Sequence, residues 1–173
     1  IDGKDAMLQF LRATATGHAK SLLDAATLLV IPIYNVDGHE RISPYNRPNQ
    51  DGPVDGMGYR TTTAGYDLNR DHLKLETVEA RALVTLVNAW QPQLHVDNHV
   101  TDGSDLAWDV MFSWAEAPLL APSLDAWQST HLPPVFAAVA AAGHPWGPYV
   151  DFDDSSDPTK GFSSWVGQPR YST

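Results

Sequence analysis

The side chains best suited to chemistry in this sequence are a histidine, two arginines and the acids around them. His99 stands in Asp97-Asn98-His99-Val100-Thr101-Asp102-Gly103. A neutral imidazole there could ligate a metal through one ring nitrogen while the other ring N–H donates to a carboxylate. The plain alternative is a strand-end histidine bonded to backbone, the commoner fate of a lone histidine. His95, Asp97 and His99 alternate, so an extended backbone puts all three on one side as a second possible metal cluster.

Asn69-Arg70 follows Asp67-Leu68 in "GYDLNRD". A guanidinium is a rigid, permanently charged fork that grips a carboxylate with two parallel hydrogen bonds, and a neighbouring Asn adds a donor at another angle. On its own the dipeptide could equally be a surface arginine paired with Asp67 or Asp71. Arg47 lies in "PYNRPNQ", where an arginine could stabilise a developing oxyanion or simply be solvated. Asn35-Val36-Asp37-Gly38 has the composition of a turn. The acidic run "DFDDSSD" from Asp151 has Ser156 and Phe162 where a calcium loop needs Gly and Glu, so it is no EF-hand. The six Trp suit packing, with Trp146, Trp165 and Tyr171 placed to line a groove.

The elements that must position these residues are partly legible. Met7, Leu8, Phe10 and Leu11 predict an amphipathic helix ending at Gly17. "TLLVIPIYNVDG" predicts a buried strand running into a turn. Residues 39–66 form a long polar loop rich in Gly and Pro, and such loops are usually functional. Val78, Ala82, Leu83, Leu86 and Trp90 predict a helix, and "PQLHVDNHV" a strand. "LLAPSLDAWQSTHLPPVFAAVAAAG" reads as one or two helices interrupted at Pro133-Pro134. Helices alternating with strands predict an α/β fold with the motifs where strands end in loops.

A chain of 173 residues suits a single domain, 1–173, with 43% hydrophobic and 18% charged residues. The balance of 11 basic and 21 acidic residues argues against nucleic acid and anionic membranes as partners. The absence of cysteine rules out disulfides and thiolate metal sites. An acidic, cysteine-free chain leans toward a secreted or periplasmic location.

Taken in order, "NVDGHER", "YNRPNQ", "GYDLNRD" and "VDNHVTDG" resemble the zinc metallocarboxypeptidases of the carboxypeptidase A superfamily, over residues 28–103. The resemblance implies a mixed, largely parallel sheet with helices on both faces, truncated here at both ends. It implies one Zn2+ site with His99 as a ligand, and Asn69 and Arg70 clamping the carboxylate of a peptide or protein C-terminus. It makes Arg47 the catalytic arginine at the oxyanion, and Asp67 the acceptor behind the family's first zinc histidine. The family's His-x-x-Glu pair is not in the sequence, Val36 replaces a proline, Glu116 lies too near His99 to be the general base, and Tyr171 has no landmark to align it. The expectation is therefore the middle of a metallopeptidase, its zinc site incomplete and itself inactive in proteolysis. The other expectation is a non-catalytic relative that binds peptide C-termini through the Asn-Arg clamp.

Overall fold

The computed structural model describes residues 2–18, 20–48, 50, 52–100, 107–114, 120–152 and 162–164. Glu116, Trp165, Tyr171 and most of the acidic run from Asp151 lie outside the described residues. The chain divides into two compact units, residues 1–104 and 105–173. Among the described residues, no helix is long and apolar enough to cross a membrane.

The first unit holds helices α1 (Asp2–Ala15), α2 (Lys20–Ala25), α3 (Val36–Glu40) and α4 (Val78–Trp90), with a 3-10 turn at Leu68–Arg70. α1 stops where the sequence predicts, because Gly17 takes a left-handed φ of 87° and its N–H bonds back to the Thr14 carbonyl. α4 starts at Thr77, whose hydroxyl accepts the Ala80 N–H, and ends at Gln91, itself left-handed, whose N–H donates to the Val87 carbonyl. The inward face of α4 keeps Leu83 and Leu86 of the expected stripe, both half-buried, but not Val78, Ala82 or Trp90. Ala80 is 1% exposed and Leu83, Val84 and Val87 are half-buried, while Val78 and Trp90 face solvent. The buried cap at Thr77 sets the rotation of the helix and brings Ala80, one turn on, inward.

Two predicted strands do not form ladders among the described residues. Residues 26–33 form no regular element, with Leu29 41% and Ile31 47% exposed and Leu28 and Val30 half-buried. Residues 91–100 are likewise without a ladder and are exposed throughout. An alternating apolar pattern specifies an extended backbone, but only a neighbouring strand makes it a sheet.

The second unit contains the regular pairing. β1 (Val110–Phe112) runs parallel to β2 (Trp146–Pro148), with Val110 opposite Trp146 and Phe112 opposite Pro148. α5 (Pro122–Ala141) connects them and packs on β2, as parallel strands require a crossover. Phe112, Phe136 and Trp146 fill the space between, Phe136 lying 4.2 Å from Trp146 and 4.9 Å from Phe112 between ring centroids. Gly147 is required because a Cβ there would run into the Trp108 ring. β3 (Val150–Phe152) pairs antiparallel with β4 (Phe162–Ser164). α5 continues through Pro133 and Pro134 as one helix. The architecture is therefore mixed helix and strand, with five helices and two-stranded parallel and antiparallel ladders among the described residues.

Candidate functional site

Asn35-Val36-Asp37-Gly38 is a clip. The Asn35 Oδ1 accepts the Gly38 N–H at 2.9 Å, capping α3, while its Nδ2 donates to the Arg60 carbonyl at 3.0 Å. The Tyr59 N–H reaches the Gly38 carbonyl at 2.7 Å, and the Thr63 N–H reaches the Asp37 Oδ2 at 2.8 Å. Three hydrogen bonds thus fix residues 59–63 against the turn. A side chain at Gly38 would collide with the Tyr59 carbonyl, so glycine is needed for this approach. The bond from the Thr63 backbone holds the Asp37 carboxyl below the usual carboxylate range.

The clip presents Arg60 to the second motif. The Arg60 Nε donates to the Asp67 Oδ2 at 2.7 Å, and the Asp67 Oδ1 accepts the Asn69 N–H at 3.0 Å. Asp67 therefore caps the 3-10 turn that carries Asn69 and Arg70, and Leu68, 3% exposed, anchors that turn beneath. The Arg70 Nη1 donates to the Asn69 carbonyl at 2.9 Å, which holds the exposed guanidinium beside the half-buried Asn69.

Asp71 follows, 3% exposed. Its Oδ1 accepts the Glu76 N–H at 2.8 Å, and its Oδ2 accepts the Thr77 N–H at 2.7 Å and the Thr77 hydroxyl at 2.6 Å. Burial pushes this carboxyl up, but the hydrogen bonds from Thr77 and Glu76, with Arg81 nearby, outweigh it and hold the group below the usual range. Asp71 is a structural carboxylate that locks the Asn69-Arg70 turn to the start of α4.

The histidine motif is linked through His72. Its ring stacks on Tyr34 at 6.4 Å between centroids. The His99 Nε2 lies 3.0 Å from the Asp97 Oδ2, and this bond, with His95 and His72 nearby, keeps Asp97 ionised to lower pH than an ordinary carboxylate. A neutral His99 donating from Nε2 carries its lone pair on Nδ1. Tyr34 also belongs here: burial raises its pKa, and Asp71, Glu79 and Asp97 raise it further. Its hydroxyl is sealed from solvent and has no hydrogen-bond partner among the described residues.

Asp67 serves Arg60, and Asp97 serves His99. Arg47 lies in a separate cleft of about 200 Å³ formed by residues 44–57, lined also by Asn46, Gln50 and Met57. Its φ of 50° is a left-handed conformation uncommon outside glycine and asparagine. Arg60 was not singled out by sequence, and its only signal there is a loop cation seven residues before Asp67. Among the described residues, no three His, Asp or Glu are grouped so as to hold a metal ion. His95, Asp97 and His99 thus do not form the local cluster that their alternation allows.

Compared with known proteins, the chain matches no protein-family profile, no curated protein and no solved structure.

Proposed function

We propose that this chain grips the C-terminal carboxylate of peptides or proteins and belongs to a zinc-dependent hydrolase of the carboxypeptidase type, built on a mixed, largely parallel sheet. The observation that carries the reading is the clip from Asn35 to Asp67. It joins two sequence motifs separated by a long loop and bonds Arg60 to the carboxylate that caps the turn carrying Asn69 and Arg70. Two guanidinium groups and an amide so placed suit a carboxylate, which accepts paired donors. In this reading Arg60, not Arg47, is the second cation at the anion. Zinc in such enzymes polarises the scissile carbonyl and activates a water. His99 would supply one ligand, and the others would come from outside the described residues.

A second reading rests on the same clip: a binder of peptide ends that needs no metal, since every residue of the grip is already held in place. One experiment separates the two. The chain is titrated with an N-acetylated dipeptide bearing a free C-terminus and with its amide, each with and without Zn2+, and binding and cleavage are both followed. Preference for the free acid supports the grip, and cleavage only with zinc supports the hydrolase. Free-acid binding that Zn2+ leaves unchanged supports the binder, whereas free-acid binding strengthened by Zn2+ supports the hydrolase even without cleavage. Equal affinity for acid and amide would end both readings.

A further inference from the structure

His39 and Lys4 meet across 35 positions of sequence, and their hydrogen bond joins the first turn of α1 to α3. The Lys4 Nζ lies 3.1 Å from the His39 Nε2. On the other side of the ring, the His39 Nδ1 lies 2.8 Å from the Glu40 Oε1. Each partner can act in one sense only. An ammonium has three donors and no acceptor, so the Nε2 must accept. An ionised carboxylate only accepts, so the Nδ1 must carry the proton. The ring in this arrangement is therefore neutral and protonated at Nδ1, with both nitrogens in use.

A second proton can enter only at Nε2, and it removes the lone pair that holds Lys4. Two cations then face each other across a hydrogen-bond distance, and the contact opens. Lys4 keeps Asp5, 3.7 Å away, as a partner, and His39 keeps Glu40. With 25% and 31% of their side chains exposed, Lys4 and His39 are shielded enough to bond yet open to protons from solvent. The other charged and titratable groups near the ring are Asp37 and Arg41 of α3 and its cap. The segment packed on the α3 backbone through Gly58 adds Tyr59, whose ring lies 4.6 Å from the Arg41 guanidinium, and Arg60, which is paired with Asp67. Asp37 is occupied by the Thr63 N–H. Among the described residues, Lys4 and Glu40 are the two charged groups bonded to the ring. Glu40 favours the added proton and Lys4 opposes it, so acid exchanges a contact more than it changes overall stability.

We propose that Lys4, His39 and Glu40 form an acid-released latch: a neutral His39 ties α1 to α3, and protonation of its Nε2 frees α1 while α3 stays in place. α3 is held separately by the Asn35 cap and by the bonds from Tyr59 and Thr63, so the release is confined to α1. Imidazole ordinarily gains its proton between about pH 8 and pH 5, which sets the range over which the latch is tested. The latch shares no residue with the carboxylate grip and stands whether or not that grip binds a peptide end.

The test is NMR of the full, isotope-labelled chain at about pH 8 and about pH 5. At the higher pH the His39 ring nitrogens should report the Nδ1–H tautomer, with a cross-relaxation peak between the Lys4 side chain and the His39 ring. At the lower pH both nitrogens should be protonated and that peak lost, while the contact between Asn35 and Gly38 persists. Lys4→Met removes the opposing charge and should move proton uptake at His39 to higher pH. Glu40→Gln removes the favouring charge and should move it to lower pH. An Nε2–H tautomer at the higher pH would overturn the proposal. So would a Lys4–His39 peak that survives protonation of the ring, or proton uptake that either substitution leaves unchanged or moves the opposite way.

Discussion

Asp71 and Thr77 are bound twice over: one carboxylate oxygen takes both the backbone N–H and the hydroxyl of Thr77, at 2.7 and 2.6 Å. The same hydroxyl oxygen accepts the Ala80 N–H at 3.1 Å, so three residues share one buried chain of hydrogen bonds into α4. A carboxylate that also receives the Glu76 N–H has its charge satisfied from several directions, which is how it remains ionised while buried.

Removing this carboxylate should be costly. Asp71→Ala strands two backbone donors and a hydroxyl and should lower stability by about 2–4 kcal/mol, against about 1–2 kcal/mol for Thr77→Ala. Urea denaturation of both variants measures the difference. Near-wild-type stability in D71A would show that the carboxylate does not hold α4.

Acid should unfold the protein through the same groups. Asp71 and Asp37 have native pKa values below their unfolded ones. Each therefore adds stability that is fully present above the unfolded carboxylate pKa of about 4 and is lost as pH falls through the lower native value. Urea midpoints should hold from neutrality to about pH 5 and then decline, and D71N should flatten that decline. A midpoint rising below pH 4 would contradict the sign.

Gly38→Ala forces a methyl against the Tyr59 carbonyl. The clip should open, with a loss of roughly 2 kcal/mol or more and weaker binding of free-acid peptides. If G38A retains full affinity for the free acid, the clip does not position the grip.

The two candidate arginines separate cleanly. Arg60→Ala should weaken binding of the free-acid dipeptide about tenfold and change stability by about 1 kcal/mol or less, since its pair with Asp67 is partly exposed. Arg47→Ala should leave that affinity unchanged. Calorimetry on both variants decides, and the reverse pattern would return the role to Arg47.

What the sequence made legible was local. The end of α1 at Gly17 and the body of α4 follow from apolar spacing and chain-end residues within one or two helical turns. The partner of Asp67 was not legible, because Arg60 reaches it only after Asn35 has fixed the Arg60 backbone from 25 positions away. The rotation of α4 was missed because a buried polar cap outweighs the apolar stripe drawn through Val78 and Trp90. Residues 26–33 and 91–100 carry strand patterns, but pairing belongs to two segments and cannot be read from one. Asn35-Val36-Asp37-Gly38 reads in sequence as a turn but forms the capped start of α3, and its grip on residues 59–63 depends on distant backbone atoms.

The distances along the chain that these bonds span also order their formation. Asp71 meets Thr77 across six positions and Asn35 meets Arg60 across 25, a difference in loop-closure entropy of roughly 1.3 kcal/mol. The helix start can assemble early while the corner at Arg60 and Asp67 waits for a slower encounter. Once formed, that corner is the first to breathe: the Tyr59 and Thr63 amides should exchange with deuterium sooner than the Ala80 amide.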